Sequence, residues 1–206
     1  MSKTVLLIGG AGYIGTVVAS EFLSKGYKVK CYDSLIYNQK DCLKKLLSDK
    51  NFEFIKEDLR NESQNKIILK DAVNIVLLAG LVGDPITKKY PKISKEINLN
   101  STKKFISQCK KAKNLKKLIF VSTCSNYGIS EPSLFATEEC ALNPVSLYAE
   151  TKIDCERVLQ SLSDKNFAAV SLRFGTAFGL SFRTRFDLAV NSFAFEAWKK
   201  KNIVVF

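Results

Sequence analysis

We expect a cytoplasmic protein without a membrane partner, because the sequence of 206 residues has no signal peptide and no run of roughly 18 apolar residues. It contains no histidine, and its six cysteines show no Cys-x-x-Cys spacing, so the sequence offers no zinc site and we expect no metal. The formal net charge is +12, but the lysines fall on predicted helix faces and turns without interleaved aromatic residues, which favours a solvated surface over a nucleic-acid partner.

A glycine-rich turn follows the first predicted strand. The apolar run at residues 5–8 ends at Gly9, and the spacing of apolar residues predicts a helix over residues 13–25. The glycines fit the pattern G-x-x-G-x-x-G; they permit a tight turn and let a pyrophosphate approach the free N–H groups at a helix N-terminus. The sequence therefore predicts a dinucleotide-binding turn, with contacts from Gly9, Gly12, Tyr13, Ile14 and Gly15.

An acidic residue ends the second predicted strand. The apolar run at residues 27–32 is followed by Asp33. In a dinucleotide site, an acid at this point accepts hydrogen bonds from both hydroxyls of the adenosine ribose, and it repels a 2′-phosphate. The sequence therefore predicts NAD, rather than NADP, as the cofactor.

Strands and helices alternate along the rest of the chain. Further strands are predicted at residues 52–55, 73–79, 118–121 and 168–172, and further helices at 40–47, 91–112, 145–162 and 189–198. Six strands separated by helical segments predict an α/β fold with a doubly wound parallel sheet of the Rossmann type.

Two further pairs of residues follow predicted strands, where ligands bind in this fold class. Asp58 and Leu59 come just after the third strand, and Ala79 and Gly80 come at the end of the fourth. We include all four among the cofactor contacts. Asp58 could accept a hydrogen bond from the exocyclic amine of adenine, but an acid here could equally cap a helix or lie on the surface.

A possible catalytic group comes from two segments. Tyr148 and Lys152 are four residues apart on one predicted helix, so their side chains can face the same cleft. Thr123 ends the fifth predicted strand. A lysine ammonium and an oxidised nicotinamide would both lower the pKa of the tyrosine towards neutrality. Tyr148 could then take a proton from a substrate hydroxyl, while Thr123 orients the same oxygen and NAD accepts a hydride.

These motifs together resemble the extended short-chain dehydrogenases/reductases, and specifically the NAD-dependent nucleotide-sugar epimerases and dehydratases. The resemblance is carried in order by Gly9 to Gly15, Asp33, Asp58-Leu59, Leu81 to Pro85, Asn98, Ser122 to Gly128, Tyr148 to Lys152, and Leu172 to Gly179. It implies that Thr123, Tyr148 and Lys152 are the catalytic triad and that Lys152 also holds the nicotinamide ribose. It further implies that Thr123, Tyr148 and Asn191 contact a nucleotide-diphosphate sugar.

Departures from the family patterns narrow the reaction. Dehydratases of the family carry an Asp-Glu pair after the threonine, whereas this chain has Cys124 and Ser125, and without histidine it also lacks an acid/base pair of cysteine and histidine. A 4-epimerisation through a transient keto intermediate needs no further acid or base. Two alternatives stay open: a catalytically idle NAD-binding module that needs a partner, and a nucleotide-sugar dehydrogenase or ketoreductase.

The resemblance also implies a division of the chain. Residues 1–179 are expected to form the NAD-binding domain, and residues 180–206 only the beginning of a substrate-binding region. Relatives commonly dimerise through two long helices, which here would be residues 91–112 and 145–162, so a homodimer is expected.

Overall fold

The computed structural model describes residues 3–129, 135–163 and 167–203. Within them, six parallel strands form one sheet in the order β3-β2-β1-β4-β5-β6. The strands are β1 (Thr4–Ile8), β2 (Lys28–Asp33), β3 (Phe52–Lys56), β4 (Asn74–Leu77), β5 (Lys117–Thr123) and β6 (Ala168–Phe174). The chain reverses its direction of travel across the sheet between β1 and β4, which creates the crevice where ligands bind in such sheets. The predicted fold class is confirmed.

Helices cover both faces of the sheet. They are α1 (Tyr13–Ser24), α2 (Glu62–Leu69), α3 (Asp84–Lys89), α4 (Pro91–Lys95), α5 (Thr102–Cys109), α6 (Leu147–Gln160) and α7 (Ala189–Lys200). Among the described residues, no helix is long and apolar enough to cross a bilayer. The sequence analysis did not single out α2, whose first turn is capped by Asn61: its side chain accepts a hydrogen bond from the N–H of Gln64 at 3.3 Å.

Side-chain alternation along β1 divides the core into two layers. Leu6 and Ile8 pack in a cluster with residues of α2, α5 and α6, whereas Val5 and Leu7 pack on the opposite face against α1 and the segment after β2. Phe105 and Phe120 are fully buried in the first cluster. Burial of each such side chain contributes about 1.5–3 kcal/mol to folding.

The helix predicted over residues 40–47 was wrong in type and length. The structure has a single 3₁₀ turn, Lys40–Leu43, followed by non-helical turns. Cys42, Leu43 and Leu46 are buried against the sheet, and their spacing resembles one face of a helix. Turns bury these three side chains on the sheet, so packing overrides the local helical pattern.

The helix predicted over residues 91–112 is interrupted. Between α4 and α5, the residues Glu96–Ser101 form a π-helical segment that contains Asn98. The Asn98 side chain accepts a hydrogen bond from the N–H of Leu81 and donates one to the Leu81 carbonyl, both at 2.8 Å. Asn98 therefore fixes the loop after β4.

One face of β6 is open to solvent. The side chains of Val170, Leu172 and Phe174 are 45%, 37% and 37% exposed, and Val170 and Leu172 pair in register with Ile119 and Val121 of β5. These residues form an apolar strip on the face opposite α5 and α6. We name it the β5–β6 strip.

Candidate active site

A cleft of about 610 Å³ opens at the carboxyl ends of β1, β2, β4 and β5, at the point where the chain reverses direction. Its lining includes eleven of the residues predicted as cofactor contacts or catalytic groups: Gly9, Gly12, Tyr13, Ile14, Gly15, Asp33, Asp58, Leu59, Ala79, Gly80 and Lys152. Thr123 and Tyr148 line it too. The fold therefore brings these predicted residues together in one cavity.

Backbone crowding explains the turn between β1 and α1. Gly9 has φ +82°, and a Cβ at this residue would lie 2.5 Å from the backbone nitrogen of Ala79. A Cβ at Gly15 would lie 2.7 Å from the backbone of Gly10, so the start of α1 packs directly on the turn. Only glycine satisfies both contacts without moving backbone.

The cleft side of the turn is open. A Cβ at Gly12 would meet only the Gly9 carbonyl oxygen, at 3.3 Å. The N-cap residue of α1 is Gly12, which has no side chain to cap the first turn. The N–H groups of that turn are therefore available to a ligand, and the positive end of the helix dipole faces the same space. This arrangement suits a bound phosphate group.

The two predicted acids are held differently. Each carboxylate oxygen of Asp33 accepts a backbone N–H, from Leu35 at 2.8 Å and from Ala11 at 3.0 Å, and burial raises the pKa of this carboxyl group. A second lone pair stays available on each oxygen. Asp58 forms a two-point ion pair with Arg60, at 2.7 and 2.8 Å, which lowers the pKa of Asp58. It does not cap α2, since Asn61 does so.

The three predicted catalytic side chains converge at the end of β5. Thr123 accepts a hydrogen bond from the Ser125 N–H at 3.1 Å, which fixes its hydroxyl at the cleft wall. The Lys152 ammonium donates to the Val121 carbonyl at 2.8 Å and lies 5.8 Å from the centre of the Tyr148 ring. Among the described residues, none forms a hydrogen bond with the hydroxyl of Tyr148, which is left to meet a ligand.

Burial is the largest cause of the pKa shifts of Tyr148 and Lys152. It raises the pKa of Tyr148 to about 12, with the charge of Arg185 acting in the opposite direction, and it lowers the pKa of Lys152 to about 8. The sequence analysis expected a lysine ammonium and an oxidised nicotinamide together to lower this pKa towards neutrality. In the chain without a ligand, the cost of desolvating the phenolate exceeds the stabilisation from Arg185, and the effect of a bound nicotinamide stays a prediction.

Asn191 lies outside the lining of the cleft. Its amide donates to the Tyr13 hydroxyl at 3.0 Å and to the Arg185 carbonyl at 2.8 Å, and its oxygen accepts from the Gly179 N–H at 2.8 Å. The structure therefore does not bring Asn191 together with Thr123 and Tyr148. Its contact with a substrate stays a prediction, and so does a domain boundary after Gly179.

Two arginines in the lining belong to the stretch of residues 183–191, from which the sequence analysis named only Asn191 as a site residue. Arg183 and Arg185 both face the cleft from the segment before α7. Arg185 forms a two-point ion pair with Asp187, at 2.6 and 3.1 Å, whereas the Arg183 guanidinium lies 4.4 Å from the centre of the Tyr37 ring. The Arg-x-Arg spacing was visible in the sequence, but nothing local indicates that the segment folds back over the glycine turn.

A serine cap fixes the start of the helix that carries Tyr148 and Lys152. The Ser146 hydroxyl accepts a hydrogen bond from the Ala149 N–H at 3.3 Å. We expect Ser146→Ala to lower the free energy of unfolding by about 1 kcal/mol in urea denaturation. The matched control is Ser161→Ala at the exposed end of the same helix, for which a change within about 0.5 kcal/mol is expected. Equal losses in both variants would contradict the capping role.

Two curated proteins are similar to this chain in sequence. The chain is 32% identical over 192 residues to the bifunctional protein GAL10 of Kluyveromyces lactis, covering 86% of this chain and 27% of that protein. It is 29% identical over 184 residues to UDP-glucose 4-epimerase of Bacillus subtilis, covering 85% and 53%. The chain thus spans about half, or less, of the length of these curated relatives.

Solved structures share the fold. The crystal structure of UDP-glucuronic acid 4-epimerase from Bacillus cereus, in complex with UDP-glucuronic acid and NAD, superposes with a TM-score of 0.85 at 26% identity, covering 98% of this chain and 65% of that one. The NAD complex of UDP-glucose 4-epimerase from Thermus thermophilus gives 0.79 at 25% identity, covering 94% and 61%. A model of the NAD dependent epimerase/dehydratase family matches residues 5–204. The chain therefore belongs to the NAD dependent epimerase/dehydratase family, in agreement with the resemblance to extended short-chain dehydrogenases/reductases that its motifs indicate.

Proposed function

We propose that this chain binds NAD and carries the catalytic residues of a nucleotide-diphosphate sugar 4-epimerase. The observation that supports this most is a single cleft lined at one end by the glycine turn and Asp33 and at the other by Thr123, Tyr148 and Lys152. The similar proteins named above are UDP-sugar 4-epimerases or a bifunctional protein, and two of them are in complex with NAD.

The residues present fit a dinucleotide. The open side of Gly12 and the uncapped N-terminus of α1 would receive the pyrophosphate, and the remaining lone pairs of Asp33 would receive the adenosine ribose. Asp58 and Leu59 would lie along adenine, Ala79 and Gly80 along the path to the nicotinamide, and Lys152 at the nicotinamide ribose. Bound NAD would supply the acceptor and donor of a hydride.

The side chain of Tyr148 would transfer the proton. Tyr148 would take the proton of a sugar hydroxyl, with its own hydroxyl free for that oxygen. The Thr123 hydroxyl donates to the Ser125 hydroxyl at 3.2 Å in the chain without a ligand, and it would donate to the sugar oxygen instead when substrate is bound. Since burial holds the pKa of Tyr148 at about 12, deprotonation depends on positive charge nearby. The charge of Arg185 lowers this pKa, and the Lys152 ammonium lies 5.8 Å from the centre of the ring. Inversion would require the keto sugar to present its other face when the hydride returns to the carbon, and Tyr148 would then return the proton to the oxygen.

The acidic residues that line the cleft do not support elimination of water at Tyr148. The acidic residues in the lining are Asp33, Glu57 and Asp58 at the opposite end and Asp187, which is paired with Arg185. The two residues after Thr123 are a cysteine and a serine. A dehydratase needs a carboxylic acid and a carboxylate at this point, so epimerisation is the simpler reaction for this site.

One observation favours a second candidate function. The β5–β6 strip is apolar and uncovered, and Trp198 of α7 is 71% exposed. Exposed apolar surface of this kind is typical of a contact with further polypeptide. The chain would then be an NAD-binding module that acts only in association with a partner. The homodimer through residues 91–112 and 145–162 is a separate proposal, which light scattering would test.

An assay of sugar products separates these functions. The chain would be incubated with NAD and a panel of nucleotide hexoses, with separation of the sugars and measurement of reduced cofactor. An epimer without net NADH supports the epimerase, and net NADH supports a dehydrogenase. NAD binding without any new sugar supports the module.

Gly12→Ala tests the pyrophosphate site. Gly12 has φ −80°, which any residue can adopt, so the fold should tolerate alanine, but the new methyl group would occupy the cleft side of the turn. We expect the Kd for NAD in calorimetric titration to rise about tenfold or more. Gly26→Ala is the control: Gly26 has φ +76° and does not line the cleft, so stability should fall while the Kd is unchanged. An unchanged Kd for Gly12→Ala would contradict the site.

A further inference from the structure

Residues 179–187 lie against the first turn of α1 and are held there by side-chain hydrogen bonds. The Tyr13 hydroxyl donates to the Gly179 carbonyl at 2.8 Å, and the Ser181 hydroxyl donates to the Tyr13 carbonyl at 2.7 Å. The Ser181 hydroxyl also lies at a hydrogen-bonding distance of 2.9 Å from the hydroxyl of Thr16. We name residues 179–187 the crossing segment. Its attachment to α1 therefore depends on Tyr13 at two points.

Asn191 links the crossing segment to the same tyrosine. Its amide nitrogen donates to the Tyr13 hydroxyl at 3.0 Å and to the Arg185 carbonyl at 2.8 Å, and its oxygen accepts from the Gly179 N–H at 2.8 Å. An asparagine amide has two N–H donors, so both are in use, and the residue is 8% exposed. To donate to a substrate, Asn191 would have to leave one of these partners unpaired, which costs free energy. The bonds therefore favour a role for Asn191 in holding the crossing segment.

The crossing segment brings Arg185 to the cleft. Arg185 lines the cleft, and its charge lowers the pKa of Tyr148 in the same lining. Two of its five N–H donors are used by Asp187, at 2.6 and 3.1 Å, and among the described residues the other three have no partner. A Cβ at Gly83 would lie 4.0 Å from Nη2 of Arg185, so the guanidinium lies beside the loop after β4. Free guanidinium donors at a cleft wall suit the diphosphate of a nucleotide sugar.

We propose that Tyr13 and Asn191 are positioning residues for the nucleotide sugar: the hydrogen bonds between them hold the crossing segment on α1 and so keep Arg185 in the cleft, where its free donors bind the diphosphate. The inference rests on the proposed function and deepens it, because Tyr13 then serves the substrate through its hydroxyl as well as the cofactor through its place in the glycine turn. For Asn191 the positioning role is an alternative to the direct substrate contact that the resemblance implies.

A double-mutant cycle on UDP-glucose binding tests the proposal. Calorimetric titrations would be made at saturating NAD, after the Kd for NAD of each variant has been measured. We expect Tyr13→Phe, Asn191→Ala and Arg185→Ala each to raise the Kd for UDP-glucose about tenfold. Tyr13→Phe combined with either of the other substitutions should raise this Kd no further than the larger single effect, because each variant breaks the same link. Tyr27→Phe is the matched control: Tyr27 does not line the cleft, so the Kd should be unchanged.

Other outcomes of these titrations would overturn the proposal. No effect of Tyr13→Phe, or effects of Tyr13→Phe and Asn191→Ala that multiply in the double variant, would indicate that Asn191 contacts the substrate directly. Equal increases of the Kd values for NAD and UDP-glucose in Tyr13→Phe would assign the Tyr13 hydroxyl to the cofactor turn. A wild-type chain that binds NAD but not UDP-glucose would remove the positioning role and leave cofactor binding standing, whereas a chain that binds neither would overturn the proposed function as well.

Hydrogen exchange measured by mass spectrometry provides a readout that needs no ligand. In Tyr13→Phe and Asn191→Ala, peptides from the crossing segment should exchange faster than in the wild-type chain, whereas peptides from β1 and β4 should be unchanged. Wild-type protection of the crossing segment in both variants would show that these bonds do not hold it. Faster exchange throughout the chain would indicate a general loss of stability. Either result would contradict the positioning role.

Discussion

Replacement of Glu156 by alanine is expected to lower the free energy of unfolding by about 3–5 kcal/mol. Glu156 of α6 is 2% exposed and forms a two-point ion pair with Arg173 of β6, at 2.7 and 3.2 Å. It also accepts a hydrogen bond from Asn126 at 2.8 Å. Its removal leaves the charge of Arg173, whose side chain is 14% exposed, without its carboxylate partner. Urea denaturation followed by circular dichroism measures the loss.

An exposed ion pair on the same helix provides the control. Asp154 pairs with Arg157 at 3.1 Å near the surface, so Asp154→Ala should cost no more than about 1 kcal/mol. Asn126 also donates to the Ser122 hydroxyl at 3.1 Å, next to Thr123, so the buried pair supports the catalytic end of the cleft. Similar losses for Glu156→Ala and Asp154→Ala would contradict this account of the pair.

Replacement of Tyr148 by phenylalanine is expected to lower the rate of sugar conversion by about 10²–10⁴-fold. The variant removes the proposed acid and base but no hydrogen bond of the described structure, so the free energy of unfolding should change little. The Kd for NAD should stay within about twofold of the wild-type value, which corresponds to a change in the binding free energy well under 1 kcal/mol. Product chromatography and calorimetry measure the two quantities.

Tyr90→Phe is the matched control for this substitution. Tyr90 is about half exposed and does not line the cleft, so its hydroxyl has no part in the proposed reaction. The Tyr90→Phe variant should convert sugar at the wild-type rate. A Tyr148→Phe variant that is as active as Tyr90→Phe would remove Tyr148 from the mechanism.

The features that the sequence predicted correctly are local. The run at residues 5–8 that ends at Gly9 and the helical spacing after it are decided by residues adjacent in the chain. Glycine is required at Gly9 and Gly15 because the turn packs on its own neighbours and on the backbone just after β4. Such patterns, repeated over six strands, were sufficient for the fold class and for the end of the sheet at which the cleft lies.

The features that the sequence did not predict depend on distant parts of the chain. Arg183 and Arg185 line the cleft because residues near Gly179 bond to Tyr13, and no local pattern contains that contact. The direction of the Tyr148 pKa shift likewise follows from burial, which spacing along one helix does not determine. The residues 40–47 show the reverse case, in which a local helical pattern was overridden by packing on the sheet.

The central claim is that one cleft removes a hydride from the sugar and returns it. It is tested most directly by following the hydrogen atom at C4 of the substrate. The chain would be incubated with NAD and UDP-glucose that carries deuterium at C4. The products would then be separated, and their masses would be measured by mass spectrometry. Removal and return of the same hydride within one cleft predicts the 4-epimer of the substrate with its deuterium retained. An epimer that has lost its deuterium, or no epimer from any sugar nucleotide in a chain that binds NAD, would contradict the account.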